Sequence, residues 1–285
     1  MRATTSRSTA DTGSAPRRRR GLVAKALTAT GAALVLGTTA FAGSAGAIVN
    51  GQDSTEKYQF MAYVPMKAAG VDAGCGATLI DRQWVLTAAH CVDRELPIEL
   101  AGTVRIGSEN RTQGGTVRKI DKIVMHPGYS QPAEEGGYNV NDLALIRLDR
   151  PVKEKPIKLA KQAGPVGTPT RLLGFGTIVD PDSLENAVFP NRLQQLDTRL
   201  GTSAECNGRT DGTRLCTVSR KLDAMACFGD SGGPQIQKNR AGRWELIGTT
   251  SGDGDGKPGC ATGPGLYTND TAYKSWIHKT IRGNK

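Results

Sequence analysis

Three short stretches carry side chains able to break an acyl bond. Phe228-Gly-Asp-Ser-Gly-Gly-Pro234 sets Ser231 among three glycines and beside Asp230. Glycine permits a tight turn that aims several backbone N–H groups at one point, and such a nest stabilises an oxyanion when a carbonyl is attacked. Thr87-Ala-Ala-His-Cys91 puts His90 at the end of an apolar strand, beside a cysteine. Asn141-Asp-Leu-Ala-Leu-Ile-Arg-Leu148 puts Asp142 at the mouth of a nearly continuous apolar strand. Each stretch alone has a plain structural reading: a β-turn with a capping acid, a structural histidine, a turn carboxylate. Together they supply a nucleophile, a base for its proton and an acid to orient the base. Their order is His90, Asp142, Ser231, with separations of 52 and 89 residues.

The elements that must position these groups read as strands. Runs rich in β-branched residues, separated by Gly and Pro clusters, occur at 59–64, 76–80, 84–88, 103–107, 117–125 and 143–148. After a basic, proline-bearing connector at 150–169, further runs occur at 171–175, 193–200, 214–218, 234–237, 245–250 and 266–268. One helix is expected near the C-terminus, where Tyr273, Trp276, Ile277 and Ile281 form an apolar stripe at helical spacing. Asn269, Asp270 and Thr271 would supply its capping side chains. Strand after strand with scarcely a helix means sandwich or barrel. Two sets of about six strands imply two all-β units, with a cleft between them as the natural place for chemistry.

The first 47 residues read as a leader and are set aside. Residues 2–25 hold seven basic side chains against one acid, Asp11. A small-residue apolar run follows and ends in Ala45-Gly46-Ala47, the pattern of a secretory signal peptide. The run is too weak for a membrane-spanning helix, and its bland reading is a basic arm before a buried helix. Arg19-Arg20 also fits a twin-arginine export signal, and the route stays open. Removing the leader leaves 238 residues with 30 Lys+Arg against 26 Asp+Glu. The apparent basicity therefore belongs to the leader, and nucleic-acid binding loses its main support. Six cysteines (Cys75, Cys91, Cys206, Cys216, Cys227 and Cys260) argue for three disulfides in an oxidising compartment, with fifteen pairings open. Their spacing and the count of three histidines disfavour structural zinc. No cofactor is called for; His126 in a surface turn and His278 on the helix read as structural or solvated.

The chain resembles the chymotrypsin/trypsin type of serine protease. TAAHC, DLALIRL, GDSGGP and the internal start IVNG carry the resemblance, with HPGY (126–129), GFG (174–176), GPGLYT (263–268) and YKSWI (273–277). The order of the three catalytic candidates distinguishes this type from other triads. The resemblance implies two six-stranded antiparallel β-barrels, one over about 48–155 and one over about 156–270. It also implies a C-terminal helix over about 271–282 and an active-site cleft between the barrels. Ser231 would be the nucleophile, His90 the base, Asp142 the orienting acid, and the amides of Gly229 and Ser231 the oxyanion hole. It implies disulfides Cys75–Cys91, Cys206–Cys216 and Cys227–Cys260. Six cysteines and an Ala-, Gly- and Arg-rich leader fit a microbial, and by composition actinobacterial, secreted enzyme. The family's calcium loop corresponds to SENRTQGGT (108–116), which offers Glu109 and little else, so no structural calcium is expected.

In this family a freed Ile or Val ammonium buries itself against the Asp before the nucleophile, here Ile48 against Asp230. Ala47–Ile48 is then both the end of the leader and the activating bond, and the oxyanion hole should be malformed while that bond is intact. Cleavage after Ala42 or Ala45 with later trimming is the alternative. The residue six positions before the nucleophile, which sets the base of the specificity pocket, is Met225. A thioether has no charge for a basic side chain, so apolar or aromatic P1 residues are expected over Arg or Lys. Gly265 leaves room for a large group, and Ser251-Gly252-Asp253 replaces the usual Ser-Trp-Gly wall. The loop 252–259 is about four residues longer than usual, and a rival expectation has Asp253 or Asp255 at the pocket mouth restoring basic preference. A secreted, extracellular, monomeric endopeptidase acting on proteins or peptides is the reading, without stable membrane association. A binding protein on the same fold and an acyl hydrolase with mainly esterase activity are the alternatives.

Overall fold

The computed structural model describes residues 48–134 and 136–284. The leader expected at 1–47, with its export signatures, lies outside the described residues. Among the described residues, fourteen strands, one α-helix and two single-turn 3-10 helices make up the regular structure. The strands are β1 (Gln52–Asp53), β2 (Met61–Ala68), β3 (Val71–Asp81), β4 (Trp84–Thr87), β5 (Ile98–Leu100), β6 (Thr103–Ile106) and β7 (Thr116–Met125). They continue with β8 (Ala144–Leu148), β9 (Pro169–Gly174), β10 (Gln194–Leu200), β11 (Arg214–Ser219), β12 (Pro234–Lys238), β13 (Trp244–Asp253) and β14 (Gly265–Asn269), and α1 spans Lys274–Gly283.

Strands β2, β3, β4, β8, β7 and β6 form one antiparallel barrel, closed because β2 pairs with both β3 and β6. Strands β9, β10, β11, β14, β13 and β12 form the second, closed because β9 pairs with both β10 and β12. Closure removes the unpaired strand edges that an open sheet would present. The first barrel starts from a hairpin whose turn residues, Ala69 and Gly70, both have positive φ. That is the turn whose twist matches two paired strands.

The first barrel is filled by Met61, Val64, Leu79, Leu86, Val104, Ile106, Leu145 and Ile146, all in one apolar cluster. The same cluster takes in Leu173, Ile236 and Leu246 of the second barrel and Tyr273, Ile277 and Ile281 around α1. Of the expected apolar stripe, Ile277 and Ile281 are buried on the helix, Tyr273 is buried just before it, and Trp276 packs against the cluster partly buried. All three disulfides expected from the resemblance are formed: Cys75–Cys91, Cys206–Cys216 and Cys227–Cys260.

Two readings need correction. The helix starts at Lys274, and its N-cap residue Tyr273 makes no side-chain cap. Asn269 instead caps a preceding turn by accepting from the Thr271 amide, while Asp270 turns inward to accept from the Thr249 hydroxyl. The two-residue β1 and three-residue β5 were not foreseen, because such short segments carry no periodic pattern.

Candidate active site

Strand register brings His90 and Asp142 together. Thr87 at the end of β4 pairs with Ala144 at the start of β8. Continuing that antiparallel register past the strand ends sets Asp142 opposite Ala89, one residue from His90. The strand end is anchored twice: Thr87 Oγ1 donates to the Gly76 carbonyl at 2.8 Å, and Cys91 is bonded to Cys75 of β3. On the other side, Tyr273 donates to Asn141 Oδ1 at 2.6 Å and Thr268 donates to the Asp142 carbonyl at 2.9 Å.

Asp142 is 1% exposed and fully engaged. Its Oδ1 accepts the His90 backbone amide at 3.0 Å, and its Oδ2 lies 2.7 Å from His90 Nδ1. The same Oδ2 accepts from Ser251 Oγ at 2.5 Å and from Asn139 Nδ2 at 3.3 Å. Burial opposes ionisation of Asp142, but the His90 ring and the Ser251 hydroxyl outweigh it and hold the carboxyl below its ordinary range. For His90, burial opposes the charged form; the Asp142 carboxylate, helped by Asp93, reverses this and raises the imidazole. Protonation of His90 is therefore favoured by the carboxylate beside it.

Ser231 sits in a turn pressed against the elements that carry His90. The Gly76 amide donates to the Ser231 carbonyl at 2.8 Å. At Gly232, with φ +76°, an added Cβ would lie 2.2 Å from Thr87 Oγ1, so nothing larger than glycine allows this approach. No hydrogen bond joins the Ser231 hydroxyl to the imidazole among the described residues, and His90 Nε2 lies 3.8 Å from Cys91 Sγ. In unliganded enzymes the hydroxyl–imidazole contact is often loose and tightens on substrate.

The amides of Gly229 and Ser231 have no acceptor among the described residues. The Phe228 carbonyl accepts from the Thr177 amide at 2.8 Å, and in a trans peptide the following N–H, that of Gly229, points the opposite way. Asp230 is buried; its two oxygens accept from the Gly176 amide at 2.9 Å and the Cys227 amide at 3.0 Å. An added Cβ on Gly174 would lie 1.8 Å from Asp230 Oδ1, so the carboxylate occupies space that two glycines leave. Burial pushes its pKa up to about 7 against these two amide donors. Ile48 is buried in an apolar cluster with Leu172, Leu196, Ala224, Met225 and Tyr267, and Val49 donates to the Met225 carbonyl. With the chain continuous through Ile48 there is no terminal ammonium to pair with Asp230, whose carboxylate is held by the Gly176 and Cys227 amides.

Beside Ser231 opens a cavity of about 460 Å³. Met225, Ala226, Pro264 and Gly265 line it, with Met225 buried and its Sδ next to Gly265. Gly252 and Asp253 also line it, together with the exposed Asp182 and Lys257. Asp253 accepts from the Gly256 amide and lies 3.9 Å from Arg209. Asp255 is not in the cavity lining but pairs at 3.5 Å with Lys257, which is. Ser251, expected in the pocket wall, instead donates to Asp142. No sequence signal marked Asn139 or Arg209: Asn139 stands only three residues before Asp142, but its reach to that carboxylate depends on the path of the loop, and Arg209 arrives from a loop remote from the motifs. His126 packs edge-on against Tyr273 and Trp276, in the structural role expected for it.

A family model described as Trypsin matches residues 48–277. The chain is 32% identical to Trypsin of Sarcophaga bullata, an alignment covering 83% of this chain and 90% of that protein. It is 31% identical to human Kallikrein-7, covering 76% of this chain and 81% of that one. Among solved structures, mouse Neuropsin, described as a serine protease expressed in the limbic system, superposes with a TM-score of 0.67. That comparison is at 29% identity and covers 82% of this chain and 100% of the other. These relatives are animal proteins and lend no support to the bacterial source expected from the leader.

Proposed function

The chain belongs to the trypsin family of serine proteases, and from that premise we propose that it is a secreted endopeptidase working through Ser231, His90 and Asp142. The observation that carries this reading is the buried Asp142 carboxylate bound 2.7 Å from His90 Nδ1, next to a β3 whose Gly76 amide holds the Ser231 carbonyl at 2.8 Å. With Nδ1–H donated to Asp142, Nε2 is left as the acceptor for a hydroxyl proton. Ser231 Oγ attacks the peptide carbonyl while Nε2 takes its proton, and the Gly229 and Ser231 amides receive the oxyanion. Collapse expels the amine, which collects the proton from the imidazolium; water then reverses the sequence and frees the acid.

Met225, buried in the lining of the cavity, supports a preference for apolar or aromatic P1 residues. Asp253 supports a basic preference less well, because its carboxylate is already bound to the Gly256 amide and faces Arg209. Activation is read as cleavage of Ala47–Ile48, by signal peptidase or by a trimming protease acting after an upstream cut. The new ammonium would enter a region where Asp230 is buried without a cation, and a buried pair of this kind holds together because either charge alone is costly.

A serine-reactive phosphonate tests the chemistry: the wild-type protein is expected to label at Ser231 and Ser231→Ala not at all, with esters and amides both turned over by the wild type. Unlabelled wild type, or full turnover by Ser231→Ala, removes the triad from the mechanism. Cleavage of a peptide library mainly after Arg or Lys would refute the Met225 argument.

A further inference from the structure

Asp142 Oδ2 receives one donor more than the orientation of His90 requires. Besides His90 Nδ1 and Ser251 Oγ, the Asn139 amide reaches it at 3.3 Å, with the same Nδ2 lying 3.4 Å from His90 Nδ1. Turning the amide over would set its oxygen against a carboxylate, so the NH₂ group faces the pair. Asn139 has no other hydrogen-bond partner among the described residues. Its backbone is held on both sides. Ahead of it, the Tyr138 ring lies under the Arg214 guanidinium at 4.2 Å and the Arg209 guanidinium at 5.7 Å, both from the second barrel. Arg209 Nη2 also donates to the Gly136 carbonyl at 2.7 Å. Behind it, Val140 and Ser130 exchange backbone hydrogen bonds at 3.0 and 3.1 Å. A side chain on a loop so pinned is pre-organised, and its hydrogen bond loses little entropy on forming.

Resting on the triad reading above, we propose that Asn139 is a positioning residue of the active site, whose amide shares the charge of Asp142 and so limits how strongly that carboxylate favours the imidazolium of His90. The second barrel, through Arg209, Arg214 and Tyr138, thereby sets the basicity of a base carried by the first. The charged groups that act on the His90 ring are Asp142 and Asp93. Tyr129, whose hydroxyl burial keeps protonated, lies in the field of both carboxylates and adds no charge. The Cys75–Cys91 disulfide beside the ring does not titrate. An amide proton between carboxylate and ring therefore has no competing cation to mask it. Removing that donor leaves Asp142 with more undiluted negative charge, so the imidazolium is stabilised and the free base needs a higher pH.

The test is the pH profile of kcat/KM for a peptide amide, with active sites counted by an acyl-enzyme burst in each variant. In Asn139→Ala the acid limb is expected to move up by about half a pH unit, and the plateau to fall about threefold through lost orientation. Asn139→Asp, which puts a second carboxylate at this place, is expected to move the limb further in the same direction. Asn139→Gln, which keeps the donor, is expected to return it part of the way. A merely structural role would lower the plateau or the burst and leave the limb where it is. A normal burst with superimposable limbs in wild type, Asn139→Ala and Asn139→Asp overturns the inference alone. Absence of a burst in the wild type overturns the triad reading and this inference with it. If Asn139→Ala does not fold, the Asn139→Asp and Asn139→Gln limbs decide between the same two outcomes.

Discussion

At Gly229 the backbone φ is +87°, and an added Cβ would lie 2.8 Å from Phe189 Cε1 and 3.0 Å from the Gly176 Cα. A side chain there meets steric contact and a backbone conformation that L-residues rarely adopt. The turn would relax by rotating the Phe228–Gly229 peptide, which is the motion that withdraws the Gly229 amide from the cleft. Gly229→Ala is therefore expected to lower kcat about 10²- to 10³-fold, the usual cost of one oxyanion donor, with KM changing far less. A steady-state comparison checks this; a parental kcat would mean that the Gly229 amide faces no developing charge. Among the residues, Ser231, His90 and Asp142 were legible from motif and order. Ser251 and Asn139 were not, because a donor to Asp142 is defined by where its loop ends in space.

The loop 108–116 shows the same division at the scale of an element. It offers no cluster of carboxylates, and its carbonyls are satisfied from inside the protein. Arg105 of β6 donates Nε to the Arg111 carbonyl at 3.1 Å, Nη1 to Gly114 at 2.5 Å and Nη2 to Thr112 at 3.0 Å. Asn110 Oδ1 takes the amides of Thr112 and Gln113. The guanidinium thus gathers the three carbonyls around a cation of the chain's own. Arg105→Ala is expected to destabilise the protein by about 1–2 kcal/mol, since part of the loop is open to water, and to speed proteolytic nicking within 108–116. EDTA is expected to leave the wild-type Tm unchanged; a fall of several degrees on chelation would show that a divalent ion supports the fold after all. The strands flanking this loop were legible from their apolar spacing. The role of Arg105 was not, since a basic residue in a strand reads as a solvated face.

For the whole molecule, Asp230 is the group by which a chain freed at Ile48 is proposed to act on the nucleophile turn. In the continuous chain burial raises its pKa to about 7 from an ordinary 3.8. A carboxyl raised in this way makes the folded chain bind more protons than the unfolded chain between those values. Its contribution to stability is then fullest below about pH 4 and is lost as pH rises toward 7. A chain beginning at Ile48 should behave differently, because its ammonium holds Asp230 ionised. In a Ser231→Ala background, the Tm of the uncut chain is expected to fall between pH 4 and 7 relative to that of the Ile48-initiated chain. Parallel Tm curves for the two forms would rule out the Ile48–Asp230 pairing. Finding an active secreted form that starts anywhere but Ile48 would likewise refute direct activation.

Sequence alone determined the strand-rich architecture, the three catalytic candidates and the apolar character of Met225, since apolar spacing, glycine-bounded turns and residue chemistry are local properties. Six cysteines implied three bridges, but spacing left fifteen pairings open until the resemblance, and then the fold, chose among them. Tertiary structure decided the start of α1, the inward turn of Asp270, the transfer of Ser251 from pocket wall to Asp142, and the reach of Asn139 and Arg105. Ser251 and Asp142 are partners far apart along the chain, whereas Asn139 with Asp142 and Arg105 with its loop carbonyls are near neighbours whose meeting depends on the path of the loop between them. Such partners are set by how two closed barrels and their loops pack, and packing distance has no local signature in the order of residues.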